Sequence, residues 1–451
     1  MADVPARGEA NLKTAPATLW GWGRVARTAT ERRSEDLVRL TEDAPLSRGL
    51  GRSYGDSSLP PPSEPWAAST LLADRILAFD EETGRLRAEA GLSLADLLRV
   101  LRPRGFFPPV VPGTQWVTLG GMVAADVHGK NHHVDGCFGA HLTGLRLRVA
   151  DGRILDCGPE RERDLFRATV GGMGLTGHIL EVEFLARRTG SPWVLAESER
   201  IRDIDAFIEG LKAAGRDWPF TMGWIDCLSG GRRLGRGILM RGRWATREEA
   251  PASTPVARRP PEVPFVLPGF ALNPWTVRAF NALYYNAPRS WRGIAHPVSF
   301  FHPLDAIGEW NRLYGPRGFT QYQCVLPESA GPGAARRFLE TLTRRGGASM
   351  LCVIKDCGDE GLGLLSFPKR GISIACDIPI RDDTQALVDA LNERVIADGG
   401  RVYLAKDAFT RPEHFRAMEP RLPEFQRLRR LWDPEGRIRS AQSVRLFGDR
   451  T

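Results

Sequence analysis

At 451 residues the chain is long enough for two or three domains with cores of their own, because single cores stop growing near ~250–300 residues. A hydrophobic share of 42% and a charged share of 26% exclude a disordered or low-complexity chain. The net charge of +8 comes mostly from arginine dispersed beside Asp and Glu, with only six lysines, so no basic arm for nucleic acid is present and no nucleic-acid partner is expected.

After a polar N-terminal tail, residues 18–23 (TLWGWG) supply aromatic anchors. Residues 46–58 (LSRGLGRSYGDSS) form a loop in which Gly49, Gly51 and Gly55 permit positive φ and close backbone approach. Amides freed in this way can face a phosphate. Residues 75–101 read as an alternating strand, an EETG turn, a second strand and a helix, with Ser93 as N-cap and Leu94, Leu97, Leu98 and Leu101 as the apolar face. The prolines of GFFPPVVPGT (105–114) forbid helix and carry the chain, extended, into the stretch 112–144. That stretch holds seven glycines and four of the eight histidines without a long hydrophobic run, and reads as loops clamping a ligand. Residues 142–157 read as a hairpin about Asp151-Gly152, followed by a short helix, a glycine-rich turn at 171–177 and a strand at 179–185.

From Trp193 the strands WVLAESERI, TMGWIDCLS, FTQYQCVLP, SMLCVIKDCG and GISIACDIPI alternate with helices, predicting an antiparallel sheet covered by helices. The proline-rich passage 251–270 reads as an exposed, partly mobile loop. Residues 384–400 form an amphipathic helix closed by Gly399 and Gly400, and an Arg-rich helix (FQRLRRLWDPEGRI) ends the chain. The fold class is therefore α+β. A split first domain, residues 8–190 with 401–451, flanks an antiparallel-sheet domain, residues 191–400.

Seven cysteines at irregular spacings, with no CxxC, suggest neither a zinc site nor a disulfide framework, and a reducing, cytoplasmic location is expected. The N-terminus lacks an apolar signal core, and no stretch nears the ~20 apolar residues of a membrane span. Any membrane role is expected to be peripheral. His132 and His133 lack a carboxylate or Cys at ligand spacing, so no metal is assigned.

Three glycine clusters of different pattern, GLGRSYGD, PGTQWVTLGGMVAADVHGKNHH and GGMGLTG, each join a strand. One such cluster is most often a turn, and three together point to a ligand-holding wall. Neither GxGxxG opening a helix nor GxxxxGK[ST] occurs, so the Rossmann and P-loop readings lack their fingerprints.

These clusters, together with FTQYQ, LLSFP, YLAKD and the closing RRLWDP, resemble the flavin-linked oxidases of the vanillyl-alcohol oxidase type, and most closely their decaprenylphosphoryl-β-D-ribose 2′-oxidase branch, over residues 20–447. The resemblance implies an FAD-binding PCMH-type domain. It sets Arg48, Gly49, Leu50, Gly51, Arg52, Ser53, Tyr54, Gly55 and Asp56 along the pyrophosphate. Around the flavin it sets Gly113, Thr118, Leu119, Gly120, Gly121, Ala125, Asp126, Val127 and His128, with Ile179 and Tyr403 as further contacts. Many relatives hold FAD covalently through a His of the first glycine loop. Here Tyr54 follows Ser53 and no His precedes His128, so non-covalent FAD is expected.

Lys406 in YLAKD matches the family's active-site lysine, which either takes the hydroxyl proton or stabilises negative charge on the reduced flavin. His128 is the second catalytic candidate, with a positioning role as the alternative. Tyr54 is the third, with a structural phenol as its alternative. Gln321 and Gln323 share one face of a strand and either meet solvent or line a polar pocket. The resemblance favours the pocket for Gln323. It also gives Lys355 a contact to the substrate phosphate, against an exposed ion pair with Asp356. One departure stands out: the best-known members carry a Cys where this chain has Ala375, and Cys376 follows one residue later, on the opposite face of a strand.

By resemblance the reaction is oxidation of the 2′-hydroxyl of a polyprenylphosphoryl pentose to a 2-keto sugar. This is the first half of an epimerisation in arabinan precursor and cell wall biosynthesis, and a short-chain reductase is the partner for the second half. A peripheral membrane contact is expected through Phe265, Leu267 and Phe270. Two other readings stay open: an oxidase of a soluble alditol or aldonolactone, and a non-catalytic flavin or lipid-sugar binding protein.

Overall fold

The computed structural model describes residues 12–13, 16–253, 255–256, 260–287, 290–347 and 349–451. Residues 8–11, at the start of the expected first domain, and residues 254 and 257–259 of the proline-rich passage lie outside the described residues.

The first half carries two sheets. In one, Ile154–Cys157, Leu142–Arg148, His178–Leu185, Arg85–Glu89 and Ile76–Phe79 pair antiparallel in that order. In the other, Trp66–Ser69 pairs parallel with both Ala26–Arg33 and Ser47–Arg48, so the chain leaves a sheet edge directly into the first glycine loop. Helix Leu94–Leu101 forms as its sequence dictates: the Ser93 hydroxyl accepts the Asp96 amide, and Leu94, Leu97, Leu98 and Leu101 are buried. These leucines join Leu86, Leu147, Val182 and Phe184 in one core.

The stretch 112–144 is not loops alone. Leu119–Ala124 is a helix, His132–Asp135 a second short one, and residues 138–141 a 3₁₀ turn. Two adjacent glycines disfavour helix. The Thr118 hydroxyl caps the first turn by accepting the Gly121 amide at 3.3 Å, and Leu119, Met122 and Val123 bury the helix in the core. Tertiary packing outweighs propensity here.

The second half is built on an eight-stranded antiparallel sheet. Its order is Trp291–Ala295, Val194–Ile201, Gly237–Trp244, Phe220–Ile225, Cys352–Cys357, Gly371–Pro379, Phe319–Pro327, Arg401–Val402. Strands Gly237–Trp244 and Trp291–Ala295, and helix Pro274–Asn286, are elements that the sequence pattern did not mark. That helix follows a proline-rich passage, and its start is set by Asn273 and Thr276 in a capping box. The last strand shows that the returning C-terminal segment first completes this sheet. Only afterwards do helices Pro412–Met418, Leu422–Trp432 and Ala441–Phe447 pack Phe415, Phe425 and Leu446 against Ala168, Met173 and Leu175 of the first half.

Helices Ile204–Asp217, Ala334–Arg344 and Thr384–Ala397 cover one face of the large sheet. On the three central strands the residues that pack under them are even-numbered: Tyr322, Cys324, Leu326, Cys352, Ile354, Ile372, Ile374, Cys376 and Ile378. The register of Gly371–Pro379 runs unbroken against both neighbours. No bulge therefore returns Cys376 to the other face, and the odd-numbered residues are left to face the first half. All seven cysteines are buried and unpaired. Among the described residues no helix is long and apolar enough to cross a membrane.

Candidate active site

A cavity of about 1390 Å³ lies between the halves. One wall is backbone. Gly49, Gly51 and Ser53 from the first glycine loop, Gly113, Thr118, Gly120 and Gly121 from the central stretch, and Gly174 and Ile179 after the third cluster all line it. The absence of side chains is required here. A Cβ on Gly49 would lie 2.3 Å from Thr118 Oγ1, and one on Gly51, at φ +64°, would lie 2.3 Å from Arg48 Nη2. At Gly113 and Gly174 the same atom would enter open space. Arg52 lines the cavity with its guanidinium 4.0 Å from the Trp22 ring centroid, and its buried Nε has no partner. A long glycine-lined groove with a buried guanidinium beside it fits a dinucleotide diphosphate.

Not every residue expected along the cofactor turns to the cavity. The Arg48 guanidinium is held by Glu31, Ser58 and the Trp20 carbonyl. Asp56 is clamped by Arg445 at 2.7 and 2.9 Å. Gly55 packs against the Asp407 carbonyl, where a Cβ would lie only 1.8 Å away. Leu119 is in the core. Asp126 accepts the Gly139 amide and the Ser366 hydroxyl, and burial raises its pKa to about 6. Gly55 and these four side chains brace the wall from behind, because a charge or an apolar group with a local partner is stable only when turned toward that partner.

The opposite wall is made of side chains. Val353, Lys355, Ala375, Gln321 and Gln323, all odd-numbered positions of strands Cys352–Cys357, Gly371–Pro379 and Phe319–Pro327, line the cavity together with Leu351, which precedes the first of them. Lys355 and Asp356 point to opposite faces, so the exposed ion pair between them does not form. The titratable neighbours of Asp356 are Lys212, His133 and Glu328. Lys355 itself is half-buried, and desolvation at the cavity lowers its pKa. Gln323 Nε2 lies 2.9 Å from His128 Nε2. An amide nitrogen can only donate, so Nε2 accepts and the proton of the neutral imidazole sits on Nδ1, which has no partner. Burial, then the nearby Lys355, His132 and Lys406, push the His128 pKa well down, so this ring stays neutral.

Lys406 closes the floor. Its Nζ stands 3.9 Å from the centroid of the Tyr54 ring. Burial lowers its pKa to about 7, with Asp377 opposing and Lys355 reinforcing that shift. Tyr54 is buried, packs edge-on to Phe319 at 5.4 Å, and keeps its proton because burial raises its pKa well above 10. Its amide donates to Ala405, which ties the first glycine loop to the YLAKD segment. Tyr403 donates its hydroxyl to the Ala125 carbonyl at 2.9 Å. Leu50, Ala125 and Val127 also face the cavity.

Two groups at this wall went unnamed in the sequence reading: Asp377, bonded to Gln321, and Tyr314, bonded to Asp377. Strand parity carries the signal for the first, since Asp377 lies two residues beyond Ala375 on the same face. Tyr314 has no such signal, because it reaches the site from a 3₁₀ turn.

Residues 25–158 match the FAD binding domain family. Decaprenylphosphoryl-β-D-ribose oxidase of Mycolicibacterium smegmatis is 35% identical across 96% of this chain and 98% of its own length. An uncharacterised protein of Streptomyces coelicolor is 33% identical across 79% of this chain and 100% of its own. L-gulonolactone oxidase of mouse matches at 32% identity across 24% of each chain. Near-complete coverage at this identity, with an FAD-binding domain whose glycine loops line the cavity, establishes that the chain belongs to the decaprenylphosphoryl-β-D-ribose oxidase family of FAD-dependent oxidoreductases.

Proposed function

We propose that the protein oxidises the 2′-hydroxyl of a polyprenylphosphoryl pentose to the 2-keto sugar. The observation that carries this reading is the facing of the two walls. A backbone wall suited to FAD stands opposite Gln321, Gln323, Lys355 and Lys406, a set with amides for sugar hydroxyls and a lysine for a phosphate. Bound FAD supplies the acceptor for the hydride that leaves the carbinol carbon. Lys406, with a pKa near neutrality, takes the hydroxyl proton through its free amine as the C=O bond forms. Gln323 holds the sugar and the His128 tautomer together. Lys355 binds the phosphate.

The lipid part of such a substrate has a route outward. The cavity mouth includes Trp193, Val256, Pro260 and Pro261. Nearby in sequence are the most exposed large hydrophobics among the described residues: Phe270 (80%), Trp275 (77%), Val256 (76%) and Leu283 (74%). We infer peripheral docking on a membrane through this stretch, including the exposed face of helix Pro274–Asn286. A 2-keto product would be consumed by a hydride-donating reductase, which completes an epimerisation.

The test is anaerobic. A short-chain polyprenylphosphoryl ribose is expected to bleach the flavin of the holoenzyme, while free pentoses, alditols and aldonolactones leave it oxidised. Bleaching by the lactones alone would replace this reading with that of a soluble-sugar oxidase, and a flavin that no member of the panel bleaches would point to a non-catalytic role.

A further inference from the structure

Asp377, near the end of strand Gly371–Pro379, has no solvent exposure. Its Oδ1 accepts Gln321 Nε2 at 2.5 Å and its Oδ2 accepts the Tyr314 hydroxyl at 2.9 Å, while its backbone amide donates to Ser349 Oγ. Among the described residues it forms no ion pair, so its side-chain hydrogen bonds come from neutral donors only. Burying a carboxylate on neutral donors is expensive, whereas an asparagine could accept from Gln321 at its one oxygen and donate its amide to a Tyr314 hydroxyl turned to accept, at lower cost. The carboxylate is therefore unexplained by packing.

A continuous cluster joins it to the lysine on the cavity floor. Tyr314 stacks on Phe319 at 4.2 Å, Phe319 packs edge-on to Tyr54, and Lys406 Nζ lies over the Tyr54 ring. Gln321 is both the cavity-lining residue and the Asp377 partner in register. We propose that Asp377 is a positioning residue whose buried negative charge sets the proton affinity of Lys406 and steadies the ammonium formed when Lys406 takes a proton. The inference rests on Lys406 being the active-site base.

The charged and titratable groups around this pair define what competes. Lys406 is faced by Tyr54, Asp377, Lys355 and His128. Asp377 is faced by Tyr314, Tyr54, Gln321 and Lys406. Arg52 and Asp305 are further charged neighbours of Tyr54. Of the charged groups among these, Asp377 opposes the loss of the lysine proton and Lys355 favours it, and burial raises the pKa of Asp377 to about 7, so its charge develops over the same range of pH.

The chain has six lysines, which makes the measurement clean. In the holoenzyme, Lys406 is labelled with a small amine-reactive reagent across pH and read by mass spectrometry. The same protein is then assayed for flavin reduction by a short-chain polyprenylphosphoryl ribose. In Asp377→Asn the Lys406 labelling midpoint and the rising limb of the reduction profile are both expected to move down by about one pH unit, with flavin content unchanged. Tyr314→Phe, which removes one donor and so raises the Asp377 pKa, is expected to move both the same way by less. An unmoved labelling midpoint in Asp377→Asn overturns the proposal. If that variant yields no folded holoenzyme, an unmoved midpoint in Tyr314→Phe does so. The labelling needs no substrate, so a shifted midpoint without flavin reduction would leave the Asp377–Lys406 link standing and remove the substrate reading instead.

Discussion

The two walls of the cavity hold their ligands by opposite means. The glycine wall offers backbone amides and excludes side chains: a Cβ on Gly49 or Gly51 would collide with Thr118 or Arg48. The sheet wall offers side chains from alternate positions of three strands, brought together from residues 321 to 375, while the intervening positions are hidden beneath helices. The first kind of wall depends on conformation and tolerates no added atom at Gly49 or Gly51. The second depends on register and tolerates substitution so long as parity is kept.

Removing Lys406 separates the walls most sharply. Lys406→Ala is expected to lower anaerobic flavin reduction by about 10²–10⁴-fold while the protein keeps its FAD, since the loss is of proton transfer and not of the amide groove. Unchanged reduction would remove Lys406 from the mechanism. On the other wall Gly49→Val is expected to do the reverse, yielding protein with little flavin absorbance, because its branched side chain meets Thr118 in the groove. A flavin-replete Gly49→Val would mean that the loop does not approach the cofactor closely.

Smaller effects sharpen the same contrast. Gln323→Ala is expected to keep FAD and slow reduction by about 10–100-fold, the loss of one or two buried hydrogen bonds. For the native enzyme, reduction should rise with pH through about 7, because the free amine of Lys406 forms only above its lowered pKa. A rate that falls through the same range would assign Lys406 the cationic role, stabilising negative charge on the reduced flavin. Acid precipitation should release the flavin into the supernatant. The smallest effect is an absence: Cys376 lies in the core and should form no adduct with a thiol-reactive ligand of the cavity, whereas Ala375→Cys should form one. An adduct on native Cys376 would show the strand register to be wrong.

Much of this was legible before any coordinates. Ser93 and the leucine spacing located a helix to the residue, and the glycine clusters located one wall of the cavity. The α+β class followed from strands and helices alternating after residue 193. Less legible was which members of a motif turn inward. Arg48 and Asp56 stand in the first glycine motif but bond to Glu31 and Arg445, and no local pattern reports partners 17 and 389 residues away. Helix Leu119–Ala124 was hidden by its two glycines, and helix Pro274–Asn286 by the prolines before it.

By itself, then, the sequence determined the backbone wall, because a glycine loop is local and its conformational freedom is written in consecutive residues. It also determined that Gln321 and Gln323 share a face and that Ala375 and Cys376 do not, because period two is a property of any strand. Tertiary structure alone decided which face meets the cavity. That choice rests on where three helices bury the even-numbered residues, and on the pairing that sets Gln321 opposite Asp377 and Gln323 opposite Ala375. Pairing register is a long-range property, set by the whole sheet closing at once, and it placed a buried carboxylate in the lysine's own cluster.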